Sequence, residues 1–222
     1  MSTDDHDHGH THGPGGMEPH PFQPDTEDSP ISESQVMAQA IQELLLEKGV
    51  FSTDDFRRMN ELLDTKSPVN GARMIARAWT DPAYRDLMLA DVHKAAAALD
   101  IDAGPAEIRA LPDTPEVHNV IVCTLCSCYP TGLLGVSPDW YRSREYRSRV
   151  VREPRAVLSE FGTDIPGDVE LRVHDSSADL RYLILPLRPD GTEGWDEERL
   201  ASLITRDVLI GTAIPQVQSI LL

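Results

Sequence analysis

Cysteine is scarce in this chain: there are three among 222 residues, all of them between positions 123 and 128. So odd and crowded a set makes a poor disulfide framework, because near neighbours seldom reach the geometry that a disulfide requires. Cations are few as well, 20 lysines and arginines against 37 acidic residues, for a formal charge of −17. That balance argues against a nucleic-acid partner, whose phosphates call for a basic surface, and equally against an anionic membrane surface. No apolar run approaches the ~18 residues of a membrane span. The N-terminus has no cation ahead of an apolar stretch, so it does not read as a signal peptide, and the expectation is a cytoplasmic protein. Aromatics are sparse at 5%, yet a hydrophobic content of 40% over this length suffices for one domain with a core and appendages.

What is present falls into three parts. Residues 1–30 hold the run DDHDHGHTHGPGG, with four of the eight histidines, and His20 follows. Gly, Pro, Asp and His at this density bury too little apolar surface to fold, so a disordered tail is expected, and alternating histidines can hold a divalent metal loosely. Residues 31–100 read as a helical arm. Ser34 can cap a helix with Val36, Ala40, Ile41, Leu44 and Leu45 at helical spacing that ends at Gly49, and Ser52 to Asp55 resembles a capping box opening a second helix through Leu63. Met74, Ile75, Ala78 and Trp79 mark a third, and Asp81-Pro82 starts a fourth that runs to about Leu99. Residues 101–222 read as an α+β domain. Val120–Val122, Val169–Val173 and Leu180–Leu185 are strand-like, Asp196–Thr205 is helical, and Val208–Ile214 suggests a last strand.

The chemistry lies in Cys123-Thr-Leu-Cys126-Ser127-Cys128. If the amide nitrogens of Ser127 and Cys128 lose their protons, they and the sulfurs of Cys126 and Cys128 close five- and six-membered chelate rings around one ion. Cys123 then binds from below, and one position stays open, as a catalytic metal requires. Structural zinc competes, although it wants four ligands, and the fourth would have to come from His118 or a distant histidine. An iron–sulfur site also wants four, and a redox C-x-x-C pair leaves Cys128 unexplained. Spacing alone leaves these readings open.

The same six residues reproduce the metal motif of the nitrile hydratase alpha subunit. DTPEVHNVIV upstream resembles that family too, as do SPDWYRSREYRSRVVREPRAVLSEFG, VELRVHDSSADLRYLILPLRPDGTEGW and TRDVLIGTAIPQ downstream. The gamma subunit of thiocyanate hydrolase is closely similar, and it tends to carry an Asp/His-rich tail as well. The resemblance implies a non-corrin cobalt(III), or less favoured iron(III), held by Cys123, Cys126, Ser127 and Cys128. It also implies that Cys126 is oxidised to a sulfinate and Cys128 to a sulfenate that serves as the catalytic group. Thr124, where the iron enzymes tend to have Ser, and Tyr129 fit the cobalt side. A beta-type subunit is the implied partner, supplying arginines to the oxidised sulfurs; a nitrile is the implied substrate, and a metallochaperone a further partner to expect.

Two departures from the family stand out. The family usually places a glutamine some nineteen residues before the first cysteine, and the stretch DAGPAEIRALP has none. Tyr129-Pro130 is followed by Thr131-Gly132, where nitrile hydratases usually have Trp-Pro and thiocyanate hydrolases Arg-Pro. Tyr129, Thr131 and Gly132 are therefore the expected substrate-binding residues of an unusual pocket. His118 reads as structural. Arg142, Arg144, Arg147, Arg149, Arg152 and Arg155 read as cations paired with acidic surface or partner. Nitrile hydration is the expected activity. Thiocyanate hydrolysis is its rival, and a non-catalytic metal-binding assembly subunit is a third reading.

Overall fold

The computed structural model describes residues 32–217. The Asp/His-rich stretch expected to be a disordered tail lies outside them. The chain divides into two compact units, residues 1–53 and 54–222.

In the first unit, α1 (Glu33–Glu47) is capped by Ser32 and not by Ser34. The side chain of Gln35 explains the choice: it accepts from the Ser32 amide at 2.8 Å while the Ser32 hydroxyl accepts from the Gln35 amide at 3.2 Å. Ser34 has Met37 three residues on, which cannot complete such a box. None of the residues of α1 is buried, and Val36, Met37, Ile41 and Leu44 stand exposed.

The second unit takes in α2 (Thr53–Asp64) from Asp54 onward, and then three helices: α3 (Pro68–Thr80), α4 (Pro82–Ala90) and α5 (Val92–Ala97). Asp81 starts α4 as expected, accepting from the amides of Ala83 and Tyr84. The helix does not run on to Leu99. Asp91 takes an extended conformation and its carboxylate caps α5 through the Lys94 amide at 3.0 Å, so one expected helix becomes two. Ala72, Met74, Ile75, Met88, Val92 and Ala95 share one core with the strand residues Val120, Ile121, Leu183 and Ile184. Most of the stretch read as an arm is thus part of the unit that carries the cysteines.

Among the described residues, four strands form two parallel pairs. In one, β1 (Glu107–Pro112), unforeseen in the sequence, pairs with β4 (Leu180–Leu185). In the other, β2 (Val117–Val122) pairs with β3 (Glu170–Asp175) in a register that sets Val122 beside Asp175. From His118 to Val122 every residue of β2 is buried, as expected of a parallel strand covered on both faces. Parallel strands need a crossover, and here it holds the cysteine loop, α6 (Thr131–Leu134), α7 (Asp139–Arg142), α8 (Arg144–Arg149) and α9 (Pro154–Glu160). The chain closes with α10 (Glu197–Ala201), shorter than expected, and α11 (Arg206–Ile210).

The expected last strand at Val208–Ile214 is this helix α11. Thr205 caps it through the Val208 amide at 3.3 Å, and Gly211 ends it at φ 89°, in the left-handed region. A Cβ at 211 would stand 2.0 Å from the Asn119 carbonyl oxygen, so glycine is required there for contact with β2 as well as for conformation.

Candidate metal centre

The cysteine loop leaves the carboxyl end of β2, where open parallel sheets commonly place their sites. Cys123 ends the buried run, Cys128 is half-buried and Cys126 is exposed. Their sulfurs stand 3.5 Å apart for Cys123 and Cys126 and 3.3 Å apart for Cys126 and Cys128. All three lie within 4.8 Å of one another, and among the described residues no His, Asp or Glu joins them. The amide of Cys126 donates to Cys123 Sγ at 3.3 Å.

The electrostatics set Cys126 and Cys128 apart. The Cys126 thiol is drawn down to about 7 by hydrogen bonding from Cys128 and Cys123, then by the backbone amides of Ser127 and Cys128. Cys128 is pushed up to about 12, first by burial and then by the Cys126 and Cys123 sulfurs beside it. The donor set fits a trivalent ion with strong-field ligands: three sulfurs gathered on one loop whose Ser127 and Cys128 amides lie between and beside them in the chain. It does not fit structural zinc, which wants a fourth side chain. His118, the candidate for that place, is engaged elsewhere. Its Nδ1 lies 3.2 Å from Asp113 and its Nε2 lies 2.8 Å from the Gly211 carbonyl.

The loop is held from outside at both ends. Asp175, beside Val122 in the register, accepts the Thr124 amide at 2.9 Å and the Thr124 hydroxyl at 2.5 Å. Arg147 donates to the carbonyls of Thr124 and Leu125 at 3.3 and 3.0 Å. At the far end, the Tyr141 hydroxyl donates to the Cys128 carbonyl at 2.9 Å and Arg181 donates to the Tyr129 carbonyl at 2.8 Å. Tyr146 secures the strand itself through the Ile121 carbonyl at 2.7 Å. Tyr141 and Tyr146 belong to an aromatic cluster with Trp140 and Phe161, whose ring pairs meet mostly edge-on. Burial pushes both phenols well above the ordinary tyrosine range, so they serve as neutral donors.

The expected pocket residues behave differently from one another. Tyr129 is buried behind the loop, its ring 5.2 Å from that of Tyr141, and its hydroxyl has no hydrogen-bond partner among the described residues. Thr131 is half-buried at the start of α6, its hydroxyl 3.4 Å from the Tyr129 carbonyl. Gly132 is buried, and a Cβ there would meet the Ala103 carbonyl oxygen at 2.1 Å. Its missing side chain is therefore filled by the backbone of the very stretch that lacks the glutamine, and it does not open a pocket.

The basic stretch is only partly an ion-pairing surface. Arg142 pairs with Asp139, and Arg149 with Glu153 and Glu160. Arg152 and Arg155 instead donate to backbone carbonyls, and Arg147 turns to the loop. The anchoring roles of Asp175, Tyr141 and Arg181 were missed in the sequence. The β2–β3 register brings Asp175 to the cysteines, the packing of the crossover brings Tyr141, and β4, on the other strand pair, brings Arg181.

Comparison with known proteins agrees with this geometry. The family described as nitrile hydratase, alpha chain, matches residues 32–213. The gamma subunit of thiocyanate hydrolase from Thiobacillus thioparus is 43% identical over 198 residues, covering 84% of this chain and 82% of that one. The alpha subunit of a low-molecular weight cobalt-containing nitrile hydratase from Rhodococcus rhodochrous is 44% identical over 194 residues, covering 86% and 94%. Among solved structures, a recombinant thiocyanate hydrolase with partially modified cobalt centres superposes with a TM-score of 0.80 at 43% identity, covering 84% of this chain and 92% of that one. An iron-type nitrile hydratase from Comamonas testosteroni gives 0.77 at 41%, covering 84% and 94%.

Proposed function

The chain belongs to the nitrile hydratase alpha-chain family, and from that premise we propose that it is the metal-binding subunit of a nitrile hydratase, adding water to a nitrile to give the amide. The observation that carries the reading is the gathering of three sulfurs within 4.8 Å on one short loop. Cys123, Cys126 and Cys128, with the amide nitrogens of Ser127 and Cys128, hold a cobalt(III) ion. Cobalt is preferred to iron on the cobalt-containing relative and on Thr124. When bound, the ion would supply Lewis acidity toward the nitrile or water.

The remaining roles fall to the chain. Cys126 carries a sulfinate and Cys128 a sulfenate, as the family resemblance implies. The Cys128 sulfenate oxygen takes a proton from water as the water oxygen bonds to the nitrile carbon. That proton passes to the nitrile nitrogen, and tautomerisation gives the amide with atoms in balance. Thr131 borders the substrate, while Tyr129 and Gly132 support the wall behind it. A beta-type subunit closes the site. Leu125 beside the sulfurs is 88% exposed, a large apolar side chain suited to a partner's surface.

Thiocyanate is the second reading, supported by a thiocyanate hydrolase subunit as similar as the nitrile hydratase one. Co-expression with a beta-type subunit and cobalt, followed by turnover assays on acetonitrile, an aromatic nitrile and thiocyanate, decides among the readings. Amide from nitriles supports the proposal, and thiocyanate as the only substrate replaces it with the second reading. A cobalt-loaded complex that turns over neither marks an assembly subunit.

A further inference from the structure

Arg147 differs from Arg142 and Arg149 in having no carboxylate partner among the described residues, and from Arg152 and Arg155 in reaching the cysteine loop. Its guanidinium is spent wholly on backbone. Nε donates to the carbonyls of Arg142 and Ser143 at 3.1 and 3.3 Å, which fixes the side chain against α7 and α8. Nη1 donates to the carbonyls of Thr124 and Leu125 at 3.3 and 3.0 Å. The Leu125 carbonyl belongs to the same peptide group as the Cys126 amide, and that amide donates to Cys123 Sγ at 3.3 Å. A relay therefore runs from the guanidinium through one peptide group to one sulfur.

We propose that Arg147 is a positioning residue that tunes the Cys123 thiolate through the Leu125–Cys126 peptide. A cation on the carbonyl oxygen draws electron density out of the peptide and makes its N–H a stronger donor, since hydrogen bonds in series polarise one another. A stronger N–H···S bond makes the sulfur a weaker donor to a metal, and hydrogen bonds to ligating sulfurs set the potential of the centre. Arg147 thus keeps Cys123, the sulfur furthest from solvent, from over-donating to the ion. It also holds the first half of the loop in the turn that brings Cys123 and Cys126 together. The inference rests on the metal-binding reading above for its consequence, but the relay itself exists in the metal-free chain.

The test uses the full chain with Arg147→Lys, Arg147→Gln and Arg147→Met. In the reduced, metal-free protein, hydrogen exchange of the Cys126 amide is measured by NMR. In the cobalt-loaded complex with its beta-type partner, the sulfur-to-metal charge-transfer band and the reduction potential are measured. Removal of the relay in the Met variant should speed Cys126 exchange about tenfold, the loss of one net hydrogen bond's worth of protection. The band should move to longer wavelength and the potential should fall. Gln, which keeps a donor but not the charge, should fall between, and Lys should recover most of the wild-type band.

A purely structural Arg147 would lower the melting temperature and leave the band and potential of loaded variants in place, which overturns the proposal. So does wild-type Cys126 exchange in the Met variant. If the Met variant does not fold, the Gln and Lys variants carry the comparison; failure of all three to fold marks a structural residue and also overturns it. A wild-type complex with no cobalt–sulfur band defeats the metal-binding reading instead, while the exchange arm still decides whether the relay exists.

Discussion

Asp175 grips Thr124 twice, one carboxylate oxygen on the amide and the other on the hydroxyl, at 2.9 and 2.5 Å. The pairing depends on strand register: Asp175 stands beside Val122, and the chain has advanced only two residues beyond it when it reaches Thr124. Replacing Asp175 by Asn keeps the shape but removes the charge and one acceptor. Metal retention should then drop by roughly 10–100-fold, the usual cost of losing a partner that orients a metal ligand. Cobalt content after timed exposure to a chelator checks this, with Thr124→Val as the milder change because it loses only the hydroxyl.

Gly132 and Ala103 form the second close relationship. Gly132→Ala should destabilise the fold by about 1–3 kcal/mol, because the new methyl meets a backbone carbonyl that cannot step aside. Thermal melts of the two proteins measure it. An unchanged melting temperature would mean that the stretch around Ala103 yields freely.

Thr131 carries the substrate-size prediction. A tryptophan there adds an aromatic side chain of roughly 150–250 Å² at the edge of the loop. Thr131→Trp should cut kcat/KM for a bulky aromatic nitrile by about tenfold or more while sparing acetonitrile, a difference of at least ~1.4 kcal/mol in transition-state binding. Equal losses on both substrates would assign Thr131 to support of the loop.

Cysteine oxidation is read from mass. The mature chain purified from the cobalt-loaded complex should exceed its sequence mass by about 48 Da, two oxygens on Cys126 and one on Cys128. Intact mass spectrometry under non-reducing conditions, followed by peptide mapping, checks both number and position. A fully active chain without added oxygen would remove the sulfenate from the mechanism.

His118 gives a dependence on pH. Both ring nitrogens face acceptors, Asp113 on one side and the Gly211 carbonyl on the other, which suits the imidazolium. Burial alone opposes that charge, but the hydrogen bond and charge of Asp113, with the Gly211 carbonyl, raise the group above its ordinary 6.5. Its stabilisation is therefore complete below the unfolded value and is lost as pH rises through the folded one. His118→Leu should cost about 3 kcal/mol in mild acid, as breaking a buried pair does. The gap between the two proteins should narrow steadily in alkaline solution, as melts across a pH series would show.

The cysteine cluster was legible because its chemistry is local: three sulfurs within six positions need no tertiary information. The strands at Leu180–Leu185 and around Val120 were legible for a similar reason, as short apolar runs bounded by turn residues. The segment 208–214 misled because a buried apolar run has no period of its own, and its helix is announced only by Thr205 before it and Gly211 after it. Asp91 likewise gave no sign that it would cap a new helix instead of sitting on the surface of an old one. Asp175, Tyr141 and Arg181 were out of reach, because their value depends on which strand lies beside which. Gly132 invited a pocket argument that one carbonyl from another segment reverses.

The tethers on the cysteine loop come from α7, α8, β3 and β4, and each ends on the backbone of a cysteine or of the residue beside one. Gathering the three sulfurs is consequently an expense of folding, met once and by the whole unit, so that on the proposed reading an arriving ion would find its donors preorganised and have chiefly protons to displace. The same wiring spreads vulnerability. A substitution in the crossover helices that never approaches the sulfurs can still slacken a tether, so defects in metal occupancy should map across the unit and not only onto the six residues that name the motif.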